Sequence, residues 1–336
     1  YDIDVEEAAE SKAGAGAEIL DLDDYAARAG SAYGKGATIA FIEGDGMIVD
    51  GESHEGLFGG SSVIAGDTVS RAIIAASKDA KVKAIVFRVN SPGGSPAASD
   101  QIWNAIRRAQ AKGKPVIINM SGVAASGGYW VAMGADKIVA EPATITGSIG
   151  VVGGKFILKG LYDKIGVHAG ELSVGSDKQQ MFSDQHAFSP EEWLALRKTF
   201  DTIYSEFTEK VASGRKLPLD RVREIAKGRV WVGSDAKDRG LVDEFGGLKT
   251  AIALARSAAS LPVDAPVDLQ RYPAQKSFFE ALFNTLGAST KTARAMSRIT
   301  EVFDLQPSSR VLDEIQRAKA MERSRVQTLM DPVEVH

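Results

Sequence analysis

The sequence contains no cysteine, which excludes disulfide bridges, thiolate nucleophiles and cysteine-ligated zinc and fits a reducing or an oxidising compartment equally well. Histidine is scarce. The four histidines, His54, His168, His186 and His336, stand at no metal-ligand spacing and no HExxH occurs, so no metal site is expected. Charge of one sign is missing too: 40 basic against 44 acidic residues leave a net charge of −4, which gives no electrostatic ground for nucleic acid as a partner. A long hydrophobic run is also lacking. Pro115 to Ala135 carries no charge, but Asn119, Ser121, Ser126, Gly122, Gly127, Gly128 and Gly134 interrupt it. Such groups weaken a lipid-facing helix, and the stretch reads as a buried strand, a turn and a buried helix.

What is present is an ordinary globular composition, 336 residues with 44% apolar and 25% charged side chains, enough to bury one large core or two smaller ones. Residues 1–36, acidic and rich in Ala and Gly, read as a linker from an upstream region. From Ala37 short apolar runs alternate with helix-period segments: strand-like Ala37 to Ile42, helix-like Asp67 to Lys78, strand-like Val82 to Val89, and a helix from about Ala97 to Ala111. Val116 to Met120 follows as a buried strand leading to a helix through about Ala135, then Lys137 to Ala140 as a short strand. Repeated βα units imply an α/β fold with a mostly parallel sheet and ligand sites at the strand carboxyl ends.

Ser189-Pro190-Glu191-Glu192 is a capping box with proline at the first helical position, and it predicts a long helix to about Ala212. Helical segments at Leu219 to Lys227 and Gly247 to Ser260 follow, with strand-like Arg229 to Val232 between them. The proline-containing run from Leu261 to Pro273 reads as a connector. Residues 262–336 read as a helical C-terminal extension, whose apolar stripe of Phe278, Phe279, Leu282 and Phe283 suits packing or assembly.

Several common motifs fail. Gly147 to Lys155 lacks the glycine and the Ser/Thr of a phosphate loop, and Ala124 stands where the nucleophile elbow of α/β-hydrolases has glycine. Ser126 nevertheless has a nucleophile's setting, at a strand-to-helix turn between Ala125 and Gly127 where a substrate backbone can approach. A plain small-residue packing turn would look the same. The turn Ser91-Pro92-Gly93-Gly94-Ser95 offers unobstructed amides suited to an oxyanion, and Pro-Gly is equally a standard turn dipeptide. His168 and His186 are the only histidines placed to serve as a base, and nothing in their spacing singles out either.

Four ordered stretches, Arg88 to Ser95, Ala125-Ser126-Gly127-Gly128-Tyr129-Trp130, Thr146-Gly147-Ser148-Ile149-Gly150 and Gly240 to Gly247, resemble the SppA-type signal peptide peptidases over about Ala37 to Leu261. The resemblance implies a Clp-protease/crotonase-like fold and a Ser/Lys dyad, without cofactor, that cleaves peptides, chiefly cleaved signal peptides. It implies a homo-oligomer at the bacterial inner membrane, with this domain on the periplasmic side and the anchor in a segment outside this chain. By the same resemblance Ser126 is the nucleophile, and Gly93 or Gly94 with Gly127 forms the oxyanion hole. Ser148 would hydrogen-bond the base, and Lys178 would be that base, as in the shorter members. The opening linker and Trp130 resemble instead the second half of the longer tandem members, in which the first half supplies the lysine. A concave peptide-binding face lined by Tyr129, Trp130 and Val151 is the matching expectation. Two rivals remain open: a crotonase-like acyl-CoA hydratase or lyase, and a non-catalytic partner or scaffold domain of a membrane protease complex.

Overall fold

The switch between a two-residue and a 3.6-residue apolar period along the chain dictates an alternation of strands and helices. The computed structural model describes residues 36–53, 63–170, 180–263 and 265–273. The chain runs β1 (Ala37–Asp45), β2 (Met47–Val49), β3 (Val63–Ala65), α1 (Gly66–Lys78), β4 (Val82–Ser91), α2 (Pro96–Gln110), β5 (Val116–Ala125) and α3 (Gly127–Ala132). It continues through β6 (Lys137–Ala140), β7 (Ile145–Gly147), α4 (Lys159–Lys164), α5 (Pro190–Arg215), α6 (Leu219–Ile225), β8 (Val230–Val232), α7 (Gly233–Asp238), β9 (Glu244–Phe245), α8 (Leu248–Ala258) and β10 (Val267–Arg271). Lys178, residues 1–35 of the linker and the extension beyond residue 273 lie outside the described residues.

The main sheet has the order β10-β1-β4-β5-β6-β9, with every pair along it parallel. β7 continues alongside the end of β5, and β8 pairs antiparallel with β7. Both faces of the inner strands are covered, so their side chains alternate between two apolar layers rather than between core and water. Ala40, Ile42, Ile85, Phe87 and Ile118 point into the larger core with α1, α2, α3 and α5. Ile39, Ala84, Val86, Ile117 and Val139 point the other way, under α8, whose Ala251 and Ala255 are fully buried. Alanines four residues apart leave one face of α8 flat enough to lie against the sheet.

The uncharged stretch from Pro115 to Ala135 is a strand, a turn and a buried helix, and among the described residues no helix is long and apolar enough to cross a membrane. The capping box is formed as its sequence requires: the Ser189 hydroxyl accepts from the Glu192 amide at 3.2 Å, and the Ser189 amide donates to the Glu192 carboxylate at 2.7 Å.

The run from Leu261 to Pro273 is more than a connector. Within it β10 lies parallel to β1, pairing Ala37 with Val267 through Phe41 with Arg271. Tyr272, just past the strand, donates its hydroxyl to Asp79 at the C-cap of α1 over 2.9 Å. The Asp79 carboxyl is held below the ordinary carboxylate range, first by the Lys81 amide and then by Tyr272. A depressed carboxyl stabilises the fold above its unfolded pKa, and that contribution fades as pH falls through the lower folded value. Tyr272→Phe is therefore expected to lower the urea midpoint at neutral pH, and the gap from wild type should close in acid.

Candidate active site

β4 and β5 keep register up to the pair Val89–Met120, then lose it: from there to the next pair, Ser91–Ala124, β5 takes four steps where β4 takes two. A bulge of this kind frees backbone groups that need partners. The Asn90 side chain accepts from the Val123 amide at 3.1 Å while donating to Asp45 at 2.9 Å. Thr144 donates to the Ser121 carbonyl at 2.8 Å, and buried Thr146 to the Ala124 carbonyl at 2.7 Å. These polar residues hold an irregular strand end whose last step delivers Ser126.

Ser126 has φ 52° and ψ −120°, a backbone conformation that costs a non-glycine residue on the order of 1–3 kcal/mol. Its amide donates to the Gly147 carbonyl at 2.9 Å, and its carbonyl accepts from the amides of Tyr129 and Trp130, both at 2.9 Å. The sequence lacks an elbow motif, yet the chain makes the same sharp strand-to-helix turn that presents a nucleophile. Ser126 is partly exposed. The helix behind it has six residues, shorter than the sequence suggested, so individual amides rather than a macrodipole face the serine.

The glycine turn lies against it. A Cβ on Gly93 would stand 2.8 Å from the Ser126 Cβ, and one on Gly127 would stand 3.1 Å from the Gly94 amide nitrogen. Gly94 bridges to Ile48 of β2, and a Cβ there would strike the Ile48 carbonyl. Ile48 donates to the Gly93 carbonyl and accepts from the Ser95 amide, each at 2.9 Å. Short β2 thus clamps the turn in place.

The three glycines named from sequence are not equivalent. The Gly93 amide donates to the buried Ser91 hydroxyl at 3.1 Å, so it is already engaged. The amides of Gly94 and Gly127 carry no such bond within the described residues, and they lie close together beside Ser126. That pair has the form of an oxyanion hole.

Ser148 follows the Gly147 carbonyl that binds Ser126, has φ 49°, and donates its amide to the Arg229 carbonyl at 2.7 Å. Val151, partly exposed, lies three residues further along the same segment. The described lysine amines with hydrogen bonds, those of Lys83, Lys114, Lys155, Lys159, Lys210 and Lys237, bond to groups other than Ser126. His186 lies against the Ala187 carbonyl.

Tyr129 and Trp130 do not line a peptide-binding face. Both are buried in the larger core. The Tyr129 hydroxyl, its pKa pushed up by burial, donates to the Leu241 carbonyl at 3.0 Å. The Trp130 indole donates to Asp100 at 3.1 Å and packs on Phe207 with ring centroids 4.5 Å apart. Each polar tip finds a partner far away in sequence, which lets a large amphipathic ring sit inside.

A parallel sheet with a serine at a strand end and a glycine turn beside it defines a Clp-protease-like domain, and the Clp protease profile matches residues 61–145. The peptidase family S49 profile matches residues 108–262. The chain is 43% identical over 226 residues to Protease 4 of Salmonella typhi, covering 67% of this chain and 35% of that protein. It is 40% identical over 230 residues to the chloroplastic serine protease SPPA of Arabidopsis thaliana, covering 68% of this chain and 34% of that protein. A putative protease of Synechocystis is 35% identical over 187 residues, covering 56% of this chain and 67% of that protein. The chain belongs to peptidase family S49. It spans about a third of the length of the first two of these relatives.

Proposed function

We propose that this chain is the nucleophile-bearing domain of a serine endopeptidase that cuts extended apolar peptides, cleaved signal peptides among them, through an acyl-enzyme. The observation that carries the reading is the strained, partly exposed Ser126 beside the amides of Gly94 and Gly127. Ser126 attacks the scissile carbonyl, and the two amides hold the oxyanion. Lys178 removes the serine proton, and Ser148, one residue beyond the carbonyl that binds the Ser126 amide, steadies that lysine. The site works without a cofactor, in a homo-oligomer at the bacterial inner membrane with the domain on the periplasmic side and the anchor outside this sequence. The substrate class is supported by a further relative, 37% identical, that is named a putative signal peptide peptidase.

An acyl-CoA hydratase on a related fold has no use for a strained serine at this place, so the deciding assay offers both substrate types. Purified chain is expected to cleave an extended apolar peptide and leave an acyl-CoA unchanged; the reverse result sinks the proposal. Lys178→Ala is expected to slow peptide cleavage at pH 7 by about 100-fold, as loss of a general base does. Wild-type rates in that variant would assign the base to a lysine from another segment.

A further inference from the structure

Asp100 lies on α2, five residues beyond Ser95, which N-caps that helix directly after Gly93 and Gly94. Trp130 lies on α3, which begins immediately after Ser126. One carboxylate oxygen of Asp100 accepts from the Trp130 indole at 3.1 Å, so a single bond spans the two elements that carry the oxyanion turn and the serine. Lys210 of α5 pairs with that same oxygen. Its amine also stands 4.8 Å from the Trp103 ring centroid and 5.3 Å from that of Trp130. The second carboxylate oxygen accepts from Asn104 at 2.9 Å. Lys210 and Asp100 are each mostly shielded, their side chains 23% and 32% exposed.

This arrangement is more than core packing. A buried indole needs one acceptor, and a backbone carbonyl serves as well, as Leu241 does for Tyr129. Here the acceptor is a carboxylate locked from two further sides, and it belongs to the helix that starts at the glycine turn. Trp130 in turn donates its own amide to the Ser126 carbonyl at 2.9 Å. A shift of α3 against α2 therefore moves Ser126 relative to the Gly94 amide, and misplacement by about 1 Å can cost 100-fold in rate.

We infer that Asp100, charge-paired with Lys210, acts through Trp130 as a positioning residue that sets the distance between the Ser126 hydroxyl and the oxyanion amides. The inference rests on the proposed peptidase reading. Its test is the rate at which a fluorophosphonate labels Ser126 in the whole chain, mapped by mass spectrometry, together with kcat and KM for peptide cleavage. Trp130→Phe keeps the ring on Phe207 and deletes the indole N–H; Lys210→Met removes the cation. Each is expected to lower the labelling rate and kcat by about 10- to 100-fold with KM little changed. Lys210→Arg, which keeps a cation beside the carboxylate, should retain most of the rate. Tyr272→Phe, a destabilised control remote from the site, should label as wild type does. If Trp130→Phe fails to fold, Lys210→Met decides alone. Equal labelling of wild type and Lys210→Met, or a loss that the control shares, overturns the positioning role and leaves the nucleophile standing. A wild-type chain that is never labelled at Ser126 overturns both.

Discussion

Ser126→Gly is expected to give a protein that is more stable than wild type and without peptidase activity. At φ 52° and ψ −120° a side chain is strained by on the order of 1–3 kcal/mol, and glycine removes that strain while adding freedom to the unfolded chain worth about 0.5–1 kcal/mol. The difference is a gain of about 1 kcal/mol, or 2–4 °C in melting temperature for a domain of this size. Ser126→Ala keeps the Cβ and so the strain, and it should melt within about 0.5 kcal/mol of wild type. Loss of a serine nucleophile costs on the order of 10⁶-fold in turnover, so both variants should be inactive and unlabelled by a fluorophosphonate. Thermal melts and single-turnover cleavage check the pair together. A glycine variant no more stable than the alanine one would remove the case for a strained serine, and a cleaving alanine variant would remove Ser126 from the chemistry.

Much of this frame was legible in the residues. The apolar runs at Val82 and Val116 and the capping box at Ser189 carry their structure locally, because period and caps are local physics. The turn at Gly93 and the small residues around Ser126 also marked the candidate site, and the structure brings them together. What escaped depends on groups distant in the chain. β10 has the sequence VDLQR and is partly exposed along its length, so it shows no buried-strand pattern; β1 recruits it from across the sheet. Tyr129 and Trp130 looked like substrate contacts because nothing nearby in sequence announces Leu241 or Asp100 as partners. The choice of Gly94 over Gly93 as the candidate donor follows from one side chain, Ser91, that takes the Gly93 amide. In each of these cases tertiary contact decided what local propensity left open.

That choice of donor leads to the second large effect, at Gly127. This residue has no left-handed φ, so alanine suits its backbone and the outcome turns on space alone. The added methyl would meet the Ser99 hydroxyl at 2.6 Å, the Gly94 nitrogen at 3.1 Å and the Gly93 Cα at 3.4 Å. It would therefore crowd Ser99 and fill the space beside the Gly94 amide, two separate injuries. Overpacking of this kind costs about 1–3 kcal/mol, and blocking an oxyanion donor costs about 10³-fold in kcat. Adding Ser99→Ala separates them. The Ser99 hydroxyl only donates to the Ser95 carbonyl at 2.8 Å, which still accepts from the Ser99 amide at 3.0 Å, so its removal should restore most of the lost stability. The methyl beside Gly94 stays, and the double variant should remain about 10³-fold slow. Melting curves and fluorophosphonate labelling of the single and double variants read the two effects apart. Recovery of activity along with stability would mean that the Gly94 amide takes no part in holding the oxyanion, and that the Gly127 amide needs another partner.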